Sequence, residues 1–211
     1  MKFTSDASNP SPGDWACIFF GELSGSSSFK HCIVEYGEDQ INTTGNDSNN
    51  SFTVQNCIIR YAGYEGILLG LTGNPNIQFN TIYGNINNGI GLHRSMTVQK
   101  SVTIQNNIIT NNGFGIGNGT DFSFTTSYND VWNNNTNNYS SLPPSVINHE
   151  KDITVDPLYM NLANDDVHLK SGSLCLQATS TGGEIGAYGN SAPIKPTINN
   201  PGINMLLLDN K

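Results

Sequence analysis

Glu65, His93 and Arg94 are residues whose types could move protons and hold charge. An imidazole or carboxylate can take a proton from a substrate, and a guanidinium beside it can stabilise the anion that results. That division of labour suits eliminative cleavage of an acidic glycan. Hydrolysis of a glycosidic bond asks for two carboxylates within about 5–10 Å of each other. Glu35, Arg60, Tyr83 and Trp132 suggest a different use. A pyranose ring has an apolar face and a polar rim, so aromatic rings beside polar groups make a stacking platform for sugars. Asp152, Asp156, Asp165 and Asp166 crowd the C-terminal end. Calcium takes oxygen-rich sets of this kind, but no loop spacing supports one, so no metal site is expected and calcium stays a minor alternative. Cys17, Cys32, Cys57 and Cys175 lack zinc-like spacing and read as small buried side chains.

What positions these residues is a repeat. Five segments align without gaps: Phe29-Lys-His-Cys-Ile-Val-Glu-Tyr36, Val54-Gln-Asn-Cys-Ile-Ile-Arg-Tyr61, Ile77-Gln-Phe-Asn-Thr-Ile-Tyr-Gly84, Ile104-Gln-Asn-Asn-Ile-Ile-Thr-Asn111 and Thr126-Ser-Tyr-Asn-Asp-Val-Trp-Asn133. Their fourth positions, Cys32, Cys57, Asn80, Asn107 and Asn129, lie 25, 23, 27 and 22 residues apart. The sixth column is Val34, Ile59, Ile82, Ile109 and Val131, uniformly aliphatic and β-branched. The seventh, Glu35, Arg60, Tyr83, Thr110 and Trp132, is mixed and therefore faces outward. On that reading Glu35 and Arg60 are exposed neighbours one rung apart, an ion pair worth about 0–1 kcal/mol. A second strand follows in each unit, with Ile41, Ile67, Ile90 and Ile116 placed 9, 10, 10 and 9 residues after the fourth column. Ile18, in Trp15-Ala-Cys-Ile-Phe-Phe20, looks like the same strand in an opening rung. Variable loops fall at 45–51 and 95–100.

One such unit cannot bury its own apolar face; stacking coil on coil does. The repeat predicts an all-β fold, a right-handed parallel β-helix (a solenoid) of about five rungs over residues 1–189. At about 4.8 Å per rung the stack spans roughly 24 Å. The fourth column becomes a ladder of side chains whose amides hydrogen-bond in register. A leucine-rich repeat would need a dense leucine pattern, and a β-sandwich would show hairpins rather than columns. Residues 190–211, which open with a Pro-rich stretch, are expected to be a linker, or a tail that folds back over an open end or onto a partner.

Charged residues make up only 12% of the chain, and the net charge is −8 with arginine at Arg60 and Arg94 alone. Such a surface repels a phosphate backbone, which excludes nucleic acid as an expected partner. No run is long and apolar enough to predict membrane insertion. Asparagine (31 of 211 residues) and glycine (22) suit turns and disfavour helices. Met1 to Pro12 contain no apolar leader segment. So little chain before Gly13 would cover the core thinly, so a fragment or a self-associating end is expected.

The rungs Thr103-Ile-Gln-Asn-Asn-Ile-Ile-Thr-Asn-Asn-Gly113 and Phe79-Asn-Thr-Ile-Tyr-Gly-Asn85 resemble the right-handed parallel β-helix repeat family, whose superfold is shared with pectate lyases. Gly13-Asp-Trp-Ala-Cys-Ile-Phe-Phe20 resembles a coil start in that family. Asp156-Pro-Leu-Tyr159, His168-Leu-Lys-Ser-Gly-Ser173 and Gly186-Ala-Tyr188 resemble the ending of many secreted or surface-anchored bacterial members. The resemblance implies an extracellular or cell-surface location and leaves function open, because the scaffold carries lyases, hydrolases, adhesins and binding modules. Catalytic members keep their acids, bases or calcium ligands on the outer face of one sheet and its flanking turns. The outward residues of the matching sheet here, Asn42, Leu68, Gly91 and Gly117, can do neither job well, and no pair of acids on adjacent rungs is expected there. The primary expectation is therefore a non-catalytic module that binds carbohydrate or acts as a spacer, with Tyr83, Trp132, Arg60 and Glu35 as the sugar strip. The alternative is a polysaccharide lyase or glycoside hydrolase using His93, Arg94 and Glu65.

Overall fold

The computed structural model describes residues 1–20, 26–43, 51–70, 74–93, 101–120, 123–141 and 146–190, and the backbone of the strands Thr197–Asn199 and Leu206–Leu207. Arg94 lies outside the described residues. The described strands build an all-β parallel β-helix of about five rungs. Sheet 1 stacks Ser27–Lys30, Ser51–Gln55, Asn74–Gln78, Thr103–Gln105, Phe124–Ser127 and Ile147–Glu150. Sheet 2 stacks Lys2–Phe3, Ile33–Glu35, Ile58–Arg60, Thr81–Tyr83, Ile108–Thr110 and Asp130–Trp132. Sheet 3 stacks Ile18–Phe19, Ile41–Asn42, Ile67–Leu69, Asn88–Leu92, Phe114–Asn118 and Asn137–Ser141. The chain visits the sheets in that order in every coil.

The sixth column is a continuous row: Val34, Ile59, Ile82, Ile109 and Val131 pair in register and are fully buried. Facing it are Phe29, Val54, Ile77, Ile104 and Thr126 from sheet 1, and Ile18, Ile41, Ile67, Ile90 and Ile116 from sheet 3. Each buried aliphatic side chain contributes about 1.5–3 kcal/mol. The rows are continuous only because every coil returns to the same phase.

The corner between sheets 1 and 2 is two residues long. Its first residue, His31, Asn56, Phe79, Asn106 or Tyr128, has φ of 53–58°. Left-handed backbone costs an L residue about 1–2 kcal/mol. The second residue offsets this through the fourth-column ladder. Asn80 Oδ1 accepts from Cys57 N–H at 2.9 Å, and Asn107 Oδ1 from the Asn80 N–H and side-chain amide at 2.9 and 3.0 Å. Asn129 Oδ1 accepts both equivalent bonds from Asn107 at 2.9 Å, and Asp152 Oδ1 ends the run by accepting from Asn129. A second ladder, absent from the expectations above, runs through Asn85, Asn112, Asn134 and Asn138 at the turn into sheet 3.

Both ends differ from the simple picture. Lys2–Phe3 supplies a sheet 2 strand to the opening rung, and Phe3 packs on Phe29 with ring centroids 5.5 Å apart. Thr197–Asn199 pairs antiparallel with Ser27–Lys30, and Leu206–Leu207 with Ile18–Phe19. The chain's own tail thus covers two strand edges at the end where self-association was expected.

The C-terminal segment 153–188 forms a second core over the outer face of sheet 2. Tyr159, Val167, Cys175, Ile185 and Ala187 bury Ile58, Tyr83 and Ile108. The antiparallel pair Tyr159–Asn161 and Asp166–Leu169 carries part of this cover. Gly186 has φ of 86°, and a Cβ there would meet Ile108 Cδ1 at 2.8 Å, so only glycine lets the cover lie this close. All four cysteines are buried and free.

Asp130 is sealed beneath this cover, where its carboxylate accepts from Val155 N–H at 3.1 Å and from the Cys175 thiol at 3.4 Å. Burial pushes its pKa up to about 7; the two hydrogen bonds oppose the rise, and Asp156 and Asp152 add to it. A carboxyl whose folded pKa exceeds its unfolded value binds its proton more tightly in the native state. Its stabilising contribution is complete below about pH 4 and is lost as pH rises towards 7. Between pH 5 and 8 the protein should lose about 2–3 kcal/mol from this group. Urea melts across that range should show the loss in wild type and a flatter profile in Asp130→Asn.

Candidate functional site

The turns that enter sheet 3 place polar residues on its outer face. Asn88, Phe114 and Asn137 occupy one row there. Leu68, Gly91, Gly117 and Ser140 form the neighbouring row along the strands. With glycine in the middle of that row the surface dips into a groove of about 270 Å³, edged by Tyr64, Phe114, Asn87, Asn118 and His93. A Cβ on Gly91 would collide with Glu65 Oε2, and one on Gly117 with Asn88 Oδ1. Glycine at these two sites is what lets polar side chains lie flat against the sheet.

Glu65 sits in the wall of this groove and is only 4% exposed. Its Oε1 accepts from the side-chain amides of Asn87 and Asn88, at 3.2 and 2.9 Å. Its Oε2 is buried with no hydrogen-bond partner among the described residues. Asp39 lies behind it, one rung earlier: Asp39 Oδ1 accepts from Glu65 N–H at 3.2 Å, and Oδ2 from Asn42 at 2.8 Å. Burial pushes the Glu65 pKa up to about 7; the Asn88 hydrogen bond opposes this and the Asp39 charge reinforces it. Burial also raises Asp39, with Asn42 and the Glu65 N–H opposing, Glu38 adding to the rise, and His93 opposing it as a nearby charge. The expectation that no two acids occupy adjacent rungs on this side is therefore corrected. Asp39 escaped notice because it lies in the turn, two residues before the strand. The structure brings Glu65 and His93 to one groove.

The expected sugar strip is also corrected. Glu35, Arg60 and Tyr83 are buried, and Trp132 is half-buried. They do point out of the coil, but the C-terminal cover closes over sheet 2. Glu35 and Arg60 pair in register across one rung, and the ion pair is internal, with Nε and Nη2 of Arg60 at 2.7 and 2.5 Å from Glu35 Oε2. Glu35 Oε1 holds Lys2 at 2.6 Å and accepts from Thr4 at 2.7 Å. Burial works against the ionised form of Glu35, but the bonds from Lys2, Thr4 and Arg60 outweigh it and hold its pKa low. Arg60 Nη1 reaches the Tyr83 hydroxyl at 2.8 Å and Asp165 at 2.9 Å, and Tyr61 donates to Asp165 at 2.6 Å. Glu35, Arg60 and Tyr83 join the first strand, the coil and the cover and leave no open face for a sugar ring, and of the expected strip Trp132 alone keeps a partly exposed side.

A family model described as right handed beta helix region matches residues 15–148. The chain belongs to that family. Among the curated proteins and the solved structures, nothing matches. The right handed beta helix match covers the coils that carry the groove and stops before the cover over sheet 2. Among the described residues no three His, Cys, Asp or Glu side chains gather as a metal site would require. The four C-terminal aspartates are separately engaged: Asp152 by Asn129 and Tyr139, Asp156 by Leu158 N–H, Asp165 by Arg60, Asp166 by His168. What the groove offers chemically is a row of amides and hydroxyls, two aromatic edges and one buried carboxyl with a free oxygen.

Proposed function

We propose that this β-helix is a non-catalytic, carbohydrate-binding module of a secreted or cell-surface protein, and that the groove on sheet 3 is its binding site. The observation that carries this reading is the buried, unpartnered Oε2 of Glu65, held beside Asn87 and Asn88 in a groove that Ser140 also lines. Such a set offers a sugar many weak, directional hydrogen bonds. Tyr64, 51% exposed, and Phe114 supply the apolar edge on which a pyranose face can rest. The partner is a polysaccharide chain lying along the open groove.

Glycan-array screening followed by titration calorimetry tests this. Tyr64→Ala, an exposed change that leaves the core intact, should weaken binding about 3–10-fold, the worth of one aromatic contact. If no glycan binds the wild-type chain, the module is a spacer.

A lyase or hydrolase is the second reading, favoured by the presence of Glu65 and His93 in one groove. Against it, both oxygens of Asp39 are already engaged, and Asp39 does not line the groove. Incubation with neutral and acidic polysaccharides should release neither reducing nor unsaturated ends; release that vanishes in Glu65→Gln would make the protein an enzyme.

A further inference from the structure

Glu65 bears on which sugars fit the groove. Its two oxygens are unlike. Oε1 is held by two amide N–H groups, from Asn87 and Asn88, so it is the acceptor whatever the charge. A proton on this carboxyl therefore sits on Oε2, which is buried at the groove wall against Gly91 and unpartnered among the described residues. An ionised Oε2 there would need a donor. A protonated one needs an acceptor, and a ligand in the groove brings it once it displaces the side chains that cover Oε2.

We propose that Glu65 is the specificity-determining residue of the groove: it works as a neutral acid, donating from Oε2 to a hydroxyl or ring oxygen of a neutral pyranoside, and it disfavours uronic acids. This rests on the groove being a glycan site.

The charges around Glu65 point the same way. Asp39 faces it from the preceding rung, with Glu38 beside Asp39; His93 stands at the rim; Tyr64 and the two asparagines are uncharged neighbours. An anionic Glu65 would sit beside an anionic Asp39 in a poorly hydrated wall, which favours keeping one of the two protonated. The pKa of about 7 follows from that burial and repulsion. A buried carboxylic acid kept neutral to donate a hydrogen bond is an established device in other proteins. A uronate would bring a further negative charge against a wall that holds Glu65 and, behind it, Asp39, whereas a neutral sugar brings uncharged hydroxyl and ring oxygens. As pH rises past 7, Glu65 ionises, its donor disappears, and an uncompensated charge faces the ligand.

The test is calorimetric titration of the full chain with cello-, xylo- and manno-oligosaccharides and with oligogalacturonate, from pH 5 to 9, for wild type and Glu65→Gln. Glutamine keeps the acceptor for the two asparagines and a non-titrating N–H donor at Oε2. Wild type should bind a neutral oligosaccharide at least 10-fold more tightly at pH 6 than at pH 9, and should not bind oligogalacturonate better. Glu65→Gln should bind with a flat pH profile. A carbon-13 NMR titration of Glu65 without ligand should place its midpoint near neutrality. An ordinary carboxyl midpoint, matching pH profiles in the two proteins, or a preference for oligogalacturonate would overturn the role of Glu65. Those results with Tyr64→Ala still weakening binding would spare the groove; absence of all glycan binding would sink both.

Discussion

Replacing Arg60 by methionine should destabilise the fold by about 3–5 kcal/mol, the cost of leaving a buried charge without its partner. The guanidinium is almost wholly enclosed and spends three nitrogens on Glu35, Tyr83 and Asp165. Lys2 and Thr4 still contact Glu35 in the variant. Lys2 is half exposed, so its charge is partly spent on solvent and cannot replace an internal guanidinium. The double variant Glu35→Gln/Arg60→Met removes both charges and should regain at least half of the loss, since the penalty lies mainly in the orphaned carboxylate. Urea denaturation of the two single variants and the double completes the cycle. Hydrogen exchange should show the loss spreading to 156–189, because Asp165 ties the cover to the coil through Arg60. A single-variant cost below about 1 kcal/mol would mean that the pair behaves like a surface ion pair and that the cover is not closed over it.

The contrast between this pair's expected exposure and its burial shows where sequence reasoning reaches. The inward rows were legible because a solenoid repeats phase: Val34, Ile59, Ile82, Ile109 and Val131 fall in one column of the alignment and in one row of the structure. The outer face was not, because what covers it comes from far along the chain and has no repeat of its own. A signal was present. Ile33, Ile58 and Ile108 lie in the fifth column, next to the aliphatic sixth, and a strand apolar on both faces is buried on both faces. The second ladder was readable too: Asn85, Asn112 and Asn134 each come five residues after Asn80, Asn107 and Asn129. For the groove, Glu65 and His93 could be placed at the ends of sheet 3 strands from sequence. Asp39 could not, since the preceding turns differ in length between rungs and only coordinates fix which turn residues stack. The unpaired oxygen of Glu65 depends on side-chain contacts with Asn87 and Asn88 that no spacing encodes.

Asn107→Ala should cost about 4 kcal/mol or more, comparable to breaking the ion pair, although it removes a single small side chain. Asn107 lies mid-ladder, where its neighbours depend on it from both sides. Its Oδ1 accepts from the Asn80 N–H and the Asn80 side-chain amide, and its own amide donates to Asn129 Oδ1 and to the carbonyls of Ile77 and Gln105. Truncation strands the buried Asn80 N–H, leaves the Asn80 side-chain amide only its bond to the Val54 carbonyl, removes one of the two donors to Asn129 Oδ1, and takes the amide donor away from the Ile77 and Gln105 carbonyls. Each unpaired buried group costs about 1–3 kcal/mol, whereas each bond formed is worth only about 1 net. It also withdraws support from a corner whose preceding residue, Asn106, sits at φ of 58°. Asn107→Asp supplies the contrast: its carboxylate can still accept both bonds from Asn80 but cannot donate to Asn129, so it places a charge against that acceptor and should be no more stable than alanine above pH 5. Asn129→Asp faces a different neighbour, the acidic Asp152 Oδ1 that ends the run, and should be worse still at neutral pH and recover on acidification. Thermal and urea melts at pH 4.5 and 7.5 separate these outcomes. If Asn107→Ala loses less than about 1 kcal/mol, the ladder is a consequence of the coil's register rather than a device that fixes it.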